Sequence, residues 1–236
     1  MSTYLTRFLF EIYPYICFAV FLLGSLVRFD REQYSWRSGS SQLLRGTQLR
    51  WGSNLFHVGI LFLMAGHTVG LLTPPAIYHH FIGVEAKQML AIVAGGVAGS
   101  LCFVGLSLLL HRRLVDPRIR ATSAPMDIVL LVILWVQLVL GMGTIPLSLE
   151  HSDGSTMLRL SEWAQRIATF RGDAAVLVDG LPWPYRVHIV LGLTIFLVFP
   201  FSRLVHIWSA PVWYVFRPYQ IVRRRGAAVG GRRVAP

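Results

Sequence analysis

The sequence predicts an all-α membrane protein, a bundle of five transmembrane helices. The first observation behind this prediction is composition: of 236 residues, 54% are hydrophobic and only 14% are charged, unlike an average soluble domain. The second is five separate apolar runs, each long enough to cross a hydrocarbon core of about 30 Å as a helix. The third is that the arginines cluster beside the ends of these runs.

The predicted spans follow one another along most of the chain. The first carries Glu11 near its outer end and lacks a small-residue cleavage site, so we interpret it as a span and not as a removable signal peptide. The last contains Pro200, which has no amide proton and is expected to break or kink the helix. The spans cover about residues 8–27, 51–72, 88–110, 128–147 and 185–208.

Positive charge orients the predicted bundle. Arginines crowd the loop 28–50, the loop after the third span and the segment after the fifth span, whereas the loop 73–86 contains no Lys or Arg. Because cytoplasmic loops carry the excess of Lys and Arg, we expect the N-terminus outside and the C-terminus in the cytoplasm. An odd number of spans requires the same opposite-sided termini.

The long outer loop, 148–184, contains a further predicted element. Residues of about 156–170 place Leu160, Trp163, Ile167 and Phe170 at three- and four-residue spacing, which predicts an amphipathic helix on the outer surface of the bundle. Residues 1–225 are therefore predicted to form one transmembrane domain, followed by a Gly/Arg-rich cytoplasmic tail at 226–236.

Composition and cysteine usage exclude several classes of function. The net charge of +11 does not indicate nucleic acid binding, because the arginines follow the pattern of membrane topology. The only cysteines, Cys17 and Cys102, lie in separate spans, so a disulfide framework and iron–sulfur ligation are not expected. No CxxCH motif occurs, which excludes covalent haem attachment.

Four of the eight histidines lie within predicted spans, where a functional role is the default hypothesis. His57 and His67 lie in the second span, and His188 and His206 in the fifth. The remaining four, in loops or at a helix end, are interpreted as structural or solvated: His79, His80, His111 and His151.

The span histidines predict two sites at two depths. The second and fifth spans run in opposite directions, so His57 is level with His206 near the cytoplasm, and His67 is level with His188 near the outside. Two imidazoles from two helices are the axial ligands that a non-covalently bound b-type haem needs. The two pairs differ in spacing along the helix. An ideal helix would separate His57 from His67 by about 15 Å, but His188 from His206 by about 27 Å, so the two pairs would not both be level.

Two basic residues are further candidates. Arg203, three residues before His206, is a candidate contact for a haem propionate, with snorkelling at the membrane surface as the alternative. Lys87 is the one basic residue at the outer edge of the third span, which makes it a candidate for a functional role. The alternative is that its charge anchors the helix at the membrane interface. For the whole chain, three other functions remain open. They are a histidine-lined transporter, a pure membrane anchor, and a dihaem cytochrome b of a hydrogenase or formate dehydrogenase.

Several long strings closely resemble one family, from about Phe10 to Arg223. They include EIYPYI from Glu11, SNLFHVGIL and GH around His57 and His67, HRRL and DPRIRAT in a loop, and KQ at Lys87. They continue through DGSTMLRLSEWAQ and HIVLGLTIFLVFPFSRLVHIWSAPV. The family is the gamma subunit, or cytochrome b subunit, of bacterial membrane-bound respiratory nitrate reductases.

The resemblance implies a function and a set of site residues. It implies two haem b groups in a subunit of the cytoplasmic (inner) membrane, the inner held by His57 and His206, the outer by His67 and His188. Quinol, either menaquinol or ubiquinol, would be oxidised beside the outer haem at Lys87, His67 and Gly66. The resemblance further implies two cytoplasmic partners, an iron–sulfur beta subunit and a molybdenum-cofactor alpha subunit, where nitrate is reduced. Membrane lipids would surround the spans.

Overall fold

Five helices cross the length of the molecule. The computed structural model describes residues 3–36, 46–150, 153–209 and 216. In that part of the chain, five helices are long and apolar enough to span a membrane, which confirms the predicted five-span, all-α architecture. We label the main helices α1 (Tyr4–Arg31), α2 (Gly46–Leu72), α3 (Val84–Val115), α4 (Pro125–Glu150), the amphipathic α5 (Ser155–Ala168) and α6 (Trp183–Val198).

Most helices extend a few residues beyond the apolar runs that predicted them. The third, for example, was expected over 88–110 and occupies Val84–Val115. Backbone hydrogen bonding continues into the polar flanks, because a helix that crosses the hydrocarbon core can continue through the headgroup layer. The sequence predictions for His151 and for the tail 226–236 lie outside the described residues.

The fifth span is the element that the sequence predicted least well. A helix was expected over 185–208, but α6 ends at Val198 and is followed by a 3-10 turn at Phe199–Phe201. Ser202 is extended, and a second 3-10 segment, Arg203–Ser209, carries His206. The expected break at Pro200 is present, because proline cannot donate the helical hydrogen bond and its ring clashes with the preceding turn.

Helix α1 stabilises this break. The guanidinium of Arg28 donates to the carbonyls of Pro200 at 2.6 Å and Ser202 at 2.8 Å, both within the interruption. The same group donates to the carbonyl and hydroxyl of Ser35. Gly24 lies against Pro200, where an added methyl group would be 2.8 Å from the proline ring. The break is thus bound to α1 by a charged side chain and a close contact.

The spans form an arc around an interior face. Helix α2 packs along α3, α3 along α4, α4 along α6, and α6 along α1. The contact between α2 and α3 is close because glycines replace side chains there: a methyl group on Gly59 would be 2.6 Å from the amide nitrogen of Cys102. In the described residues, α2 and α6 are not a packed pair, although they face each other across the arc.

Helix α5 covers one end of the arc, as the spacing of Leu160, Trp163 and Ile167 predicts. Phe170, expected on the same face, lies beyond the end of the helix and is 81% exposed. The buried residues of α5, Trp163 and Ile167, join a cluster with Phe10 and Val178, and the indole of Trp163 donates to the carbonyl of Phe10. The side chain of Gln165 donates to two carbonyls at the end of α2. Helix α5 therefore connects α1 to α2 at the end of the bundle that carries Lys87.

Candidate functional site

The four span histidines face each other in two pairs. The ring centroids of His57 and His206 are 6.4 Å apart, and those of His67 and His188 are 6.2 Å apart. The structure thus brings together the same two pairs of histidines that the opposite directions of the second and fifth spans predict. From His188 to Val198, α6 rises about 15 Å, as α2 does from His57 to His67. The mismatch in spacing disappears because the chain leaves the helix axis after Val198.

Backbone carbonyls fix the tautomer of the two histidines on α2. The Nδ1 of His57 bonds to the carbonyl of Ser53 at 2.7 Å, and the Nδ1 of His67 bonds to the carbonyl of Leu63 at 2.7 Å. A carbonyl oxygen only accepts, so each Nδ1 carries the proton. The lone pair is therefore on Nε2, the nitrogen that can bind a metal.

The two histidines of the opposite face are held in the same way. The Nδ1 of His206 bonds to the carbonyl of Arg203 at 2.6 Å, and the Nδ1 of His188 bonds to the carbonyl of Gln137 on α4 at 3.1 Å. Because of these bonds, all four imidazoles have the lone pair on Nε2 and a fixed ring orientation. At His188, the side-chain amide of Gln137 lies 3.5 Å from that nitrogen. A histidine that binds a metal through one nitrogen usually donates the proton of its other nitrogen in this way.

The residues fit two b-type haems on several counts. A metal between two imidazoles makes nitrogen bonds of about 2 Å on each side, which places the ring centroids about 6 Å apart, close to both observed distances. Gly66 leaves open space, since an added methyl group would meet no atom within 4 Å. Among the described residues, no three histidine, cysteine or acidic side chains gather around one point.

Close contacts restrict His188 in particular. A methyl group on Gly141 would lie 2.8 Å from Cε1 of the His188 ring, whereas one on Gly143 would meet nothing within 4 Å. Gly192, one turn after His188 on α6, lies against the side-chain amide of Gln137. Gly141 and Gln137 are four residues apart on α4, so both lie on the face that holds His188.

A charged cluster lies at the end of the bundle where His57 and His206 are found, which we call the arginine-rich end. The carboxylate of Asp127 accepts from Arg113 at 3.0 Å and pairs with Nε of Arg203 at 2.9 Å. Arg113 also donates to the hydroxyl of Ser123. Two guanidinium groups thus share one carboxylate, which leaves an excess of positive charge. The side chain of Arg203 is therefore bound to α4 and does not simply extend to the membrane surface.

The residues expected to bind quinol lie towards the opposite end. Lys87 is in the first turn of α3, and its Nζ lies 3.6 Å from the centroid of the Tyr78 ring. This nitrogen is buried and makes no hydrogen bond in the described part of the chain, so it is not bonded to His67. Gly66 and His67 are exposed on α2.

The other histidines take no part in these pairs. His79 and His80 are exposed in the turn between α2 and α3, as expected for solvated side chains. His111 is exposed near the end of α3, 3.5 Å from the amide of Gln48. These observations agree with the structural interpretation of the three residues.

Sequence reasoning missed four residues that hold the site. Arg28 was counted only as a topology signal, and Asp127 carried no motif. Gln137 was the one amide in the fourth apolar run, a signal that could have marked it, because a polar side chain inside a span usually has a partner. Tyr78 was overlooked beside the prolines of its loop.

Comparison with known proteins identifies the family. The family model for the nitrate reductase gamma subunit matches residues 6–225. The respiratory nitrate reductase 1 gamma chain of Escherichia coli (strain K12) is 51% identical over 222 residues, which are 94% of this chain and 99% of that protein. The nitrate reductase gamma chain of Bacillus subtilis (strain 168) is 36% identical over 220 residues, 93% of this chain and 98% of that protein. This chain therefore belongs to the nitrate reductase gamma subunit family.

Proposed function

We propose that this chain is the dihaem, quinol-oxidising membrane subunit of a respiratory nitrate reductase. Membership of the gamma subunit family makes it a membrane subunit of an oxidoreductase complex that associates with other nitrate reductase subunits. It also argues against a transporter and against a cytochrome b of a hydrogenase or formate dehydrogenase. We propose in addition that it binds two haems, oxidises quinol, and has the partners and membrane orientation described for it.

One observation carries the proposal: two facing histidine pairs with ring centroids 6.4 and 6.2 Å apart, each ring with its Nδ1 bonded to a carbonyl. We assign His57 and His206 as axial ligands of an inner haem b, and His67 and His188 as those of an outer haem b. When bound, the two haems supply one-electron carriers between the two ends of the bundle.

The arginine-rich end is the proposed exit for electrons. The excess positive charge around Asp127 suits the carboxylate groups of a haem, so we propose Arg203 as a contact of a haem propionate. By the positive-inside rule this end faces the cytoplasm. An iron–sulfur beta subunit and a molybdenum-cofactor alpha subunit would bind there, and nitrate would be reduced on that side of a bacterial inner membrane.

The opposite end is the proposed entry. Among the described residues, the buried ammonium of Lys87 has no hydrogen-bond acceptor, and a quinol oxygen would provide one. We propose that Lys87 donates to a quinol oxygen, and that the open space beside Gly66 admits the quinol ring next to His67, whose two nitrogens are taken by the carbonyl of Leu63 and by the proposed haem. Quinol oxidation also releases protons, which at this end would leave towards the outside.

Haem loss in single histidine variants tests the ligand assignment. The complex is purified with His57, His67, His188 or His206 changed to Ala, and dithionite-reduced minus oxidised spectra are recorded. We expect the variants at His57 and His206 to lose one b-type signal and those at His67 and His188 to lose the other. If the single variants His57→Ala and His188→Ala lose the same haem signal, the pairing is wrong.

The quinol site is tested separately. In Lys87→Ala, we expect both haems to remain reducible by dithionite, because no haem ligand changes. Reduction by menadiol, a soluble quinol, should become at least tenfold slower at low quinol concentration, since a charged hydrogen bond contributes about 1.5–3 kcal/mol. Unchanged reduction by menadiol would remove Lys87 from the site.

A further inference from the structure

The ammonium of Lys87 rests on the face of an aromatic ring that the proposed function does not use. Its Nζ is 3.6 Å from the centroid of Tyr78, and Tyr78 is only 6% exposed. In the described residues, neither the Lys87 ammonium nor the Tyr78 hydroxyl makes a hydrogen bond. The ring face is therefore the one partner that the structure gives to this cation.

This contact leaves the ammonium ready for a ligand. An ammonium has three donors and no acceptor, and burial without acceptors is unfavourable. A ring face attracts the cation but accepts no conventional hydrogen bond. The arrangement thus fixes the position of the charge while its donors stay available to an oxygen atom that arrives from outside the chain.

The backbone holds the ring in a fixed place. Tyr78 ends the short helix Pro75–Tyr78, and its carbonyl accepts from the amides of Phe81 and Ile82, both at 2.9 Å. The amide of Lys87 donates to the carbonyl of Gly83 at the start of α3. Burial raises the pKa of the Tyr78 phenol, so the side chain stays neutral at physiological pH. The ring is a rigid, uncharged platform beside the first turn of α3.

We propose that Tyr78 is a positioning residue of the quinol site, whose ring holds the Lys87 ammonium where a quinol oxygen can accept from it. This inference rests on the proposed quinol site at Lys87. The ring face carries the role, and the phenolic hydroxyl does not, because this hydroxyl makes no hydrogen bond to any residue that the structure describes. Tyr78 itself does not need to touch the quinol.

A matched pair of variants separates the ring from the hydroxyl. In Tyr78→Leu, we expect the KM for menadiol to rise about fivefold to thirtyfold, the range that the loss of a partly desolvated cation–π contact would give. The kcat at saturating quinol should change much less, since the loss is one of binding. In Tyr78→Phe, which keeps the ring, KM should stay within about twofold of the original value.

Haem content is the control, measured with dithionite on the same preparations of the whole complex. Both variants should retain both haem signals. A Tyr78→Leu complex with an unchanged KM would overturn the inference, as would a Tyr78→Phe complex with the KM of the Leu variant. If the Leu variant loses haem, Tyr78→Met, whose side chain has nearly the same volume but is unbranched and more flexible, replaces it under the same criteria.

A second background separates this inference from the proposed function. In Lys87→Met, the change Tyr78→Leu should have no further effect on KM, because the cation it positions is gone. A further rise in that background would contradict the coupling. If Lys87→Met alone leaves KM unchanged, the quinol site itself is wrong. If Lys87→Met raises KM and Tyr78→Leu does not, the proposed role of Tyr78 is wrong and the quinol site at Lys87 stands.

Discussion

The substitution Gly141→Ala should remove one haem and leave the other in place. The new methyl group would lie 2.8 Å from Cε1 of His188, on a helix face whose backbone also holds this ring. Ordinary carbon contacts are 3.4 Å or longer, so the ring must move by at least about 0.6 Å. Metal–ligand distances tolerate deviations of only about 0.2 Å, so this movement is too large for the ligand bond to be kept. The bond from Nδ1 to the carbonyl of Gln137, at 3.1 Å, opposes that movement.

The magnitude follows from two opposing terms. Overpacking of this size costs about 1–3 kcal/mol, whereas Ala in place of Gly stabilises a helix by about 1 kcal/mol. The fold should therefore survive, and the loss should appear as weaker binding at one site. Disturbed outer partners of a ligand lower metal affinity by about 10- to 100-fold, and we expect a similar loss for the haem at His67 and His188.

The neighbouring Gly143 provides the control. Gly143→Ala makes the same chemical change in the same helix but meets no atom within 4 Å. Reduced-minus-oxidised spectra should show both haem signals in Gly143→Ala and a single signal, that of His57 and His206, in Gly141→Ala. Two unchanged signals in Gly141→Ala, with the same midpoint potentials as Gly143→Ala, would refute the reasoning.

Two further predictions concern the packing that places the histidines. Arg28→Lys loses Nη1, which donates to Pro200 and Ser202, and the two nitrogens that hold the group to Ser35. It should weaken the haem of His57 and His206 while the other signal persists. The exposed Arg31 gives a matched Arg→Lys control, and equal haem content in both variants would contradict the proposed role. Gly105→Ala would press a methyl group against the backbone of Phe56 and should lower the midpoint temperature of unfolding by several degrees. Gly95→Ala, which meets nothing within 4 Å, should leave that temperature unchanged or slightly higher.

The pairing of the histidines could be predicted from sequence because it depends on few quantities. Hydropathy locates the spans, the number of spans sets their directions, and the position of each histidine within a span sets its depth. None of these requires side-chain geometry. His57 and His67 also lie on one regular helix, so their separation follows from the helical rise alone.

The path of the chain after Val198 could not be predicted in the same way. Proline at position 200 indicates a break, but the direction taken afterwards depends on Arg28, which lies 172 residues before Pro200 and donates to the carbonyls of Pro200 and Ser202. Similarly, the carbonyl that holds His188 belongs to Gln137 on another helix. Main-chain acceptors carry no sequence signature, so contacts of this kind emerge only from the three-dimensional arrangement.

The most direct test of the central claim is the number of haem b groups per chain. Pyridine haemochrome analysis of the purified complex, relative to the amount of this polypeptide, should give two for the unchanged chain and one for the double variant His57→Ala/His206→Ala. The double variant His67→Ala/His188→Ala should also retain one, because each pair serves a single haem. A ratio of one in the unchanged chain, or of zero in either double variant with the fold intact, would contradict the assignment of two independent pairs.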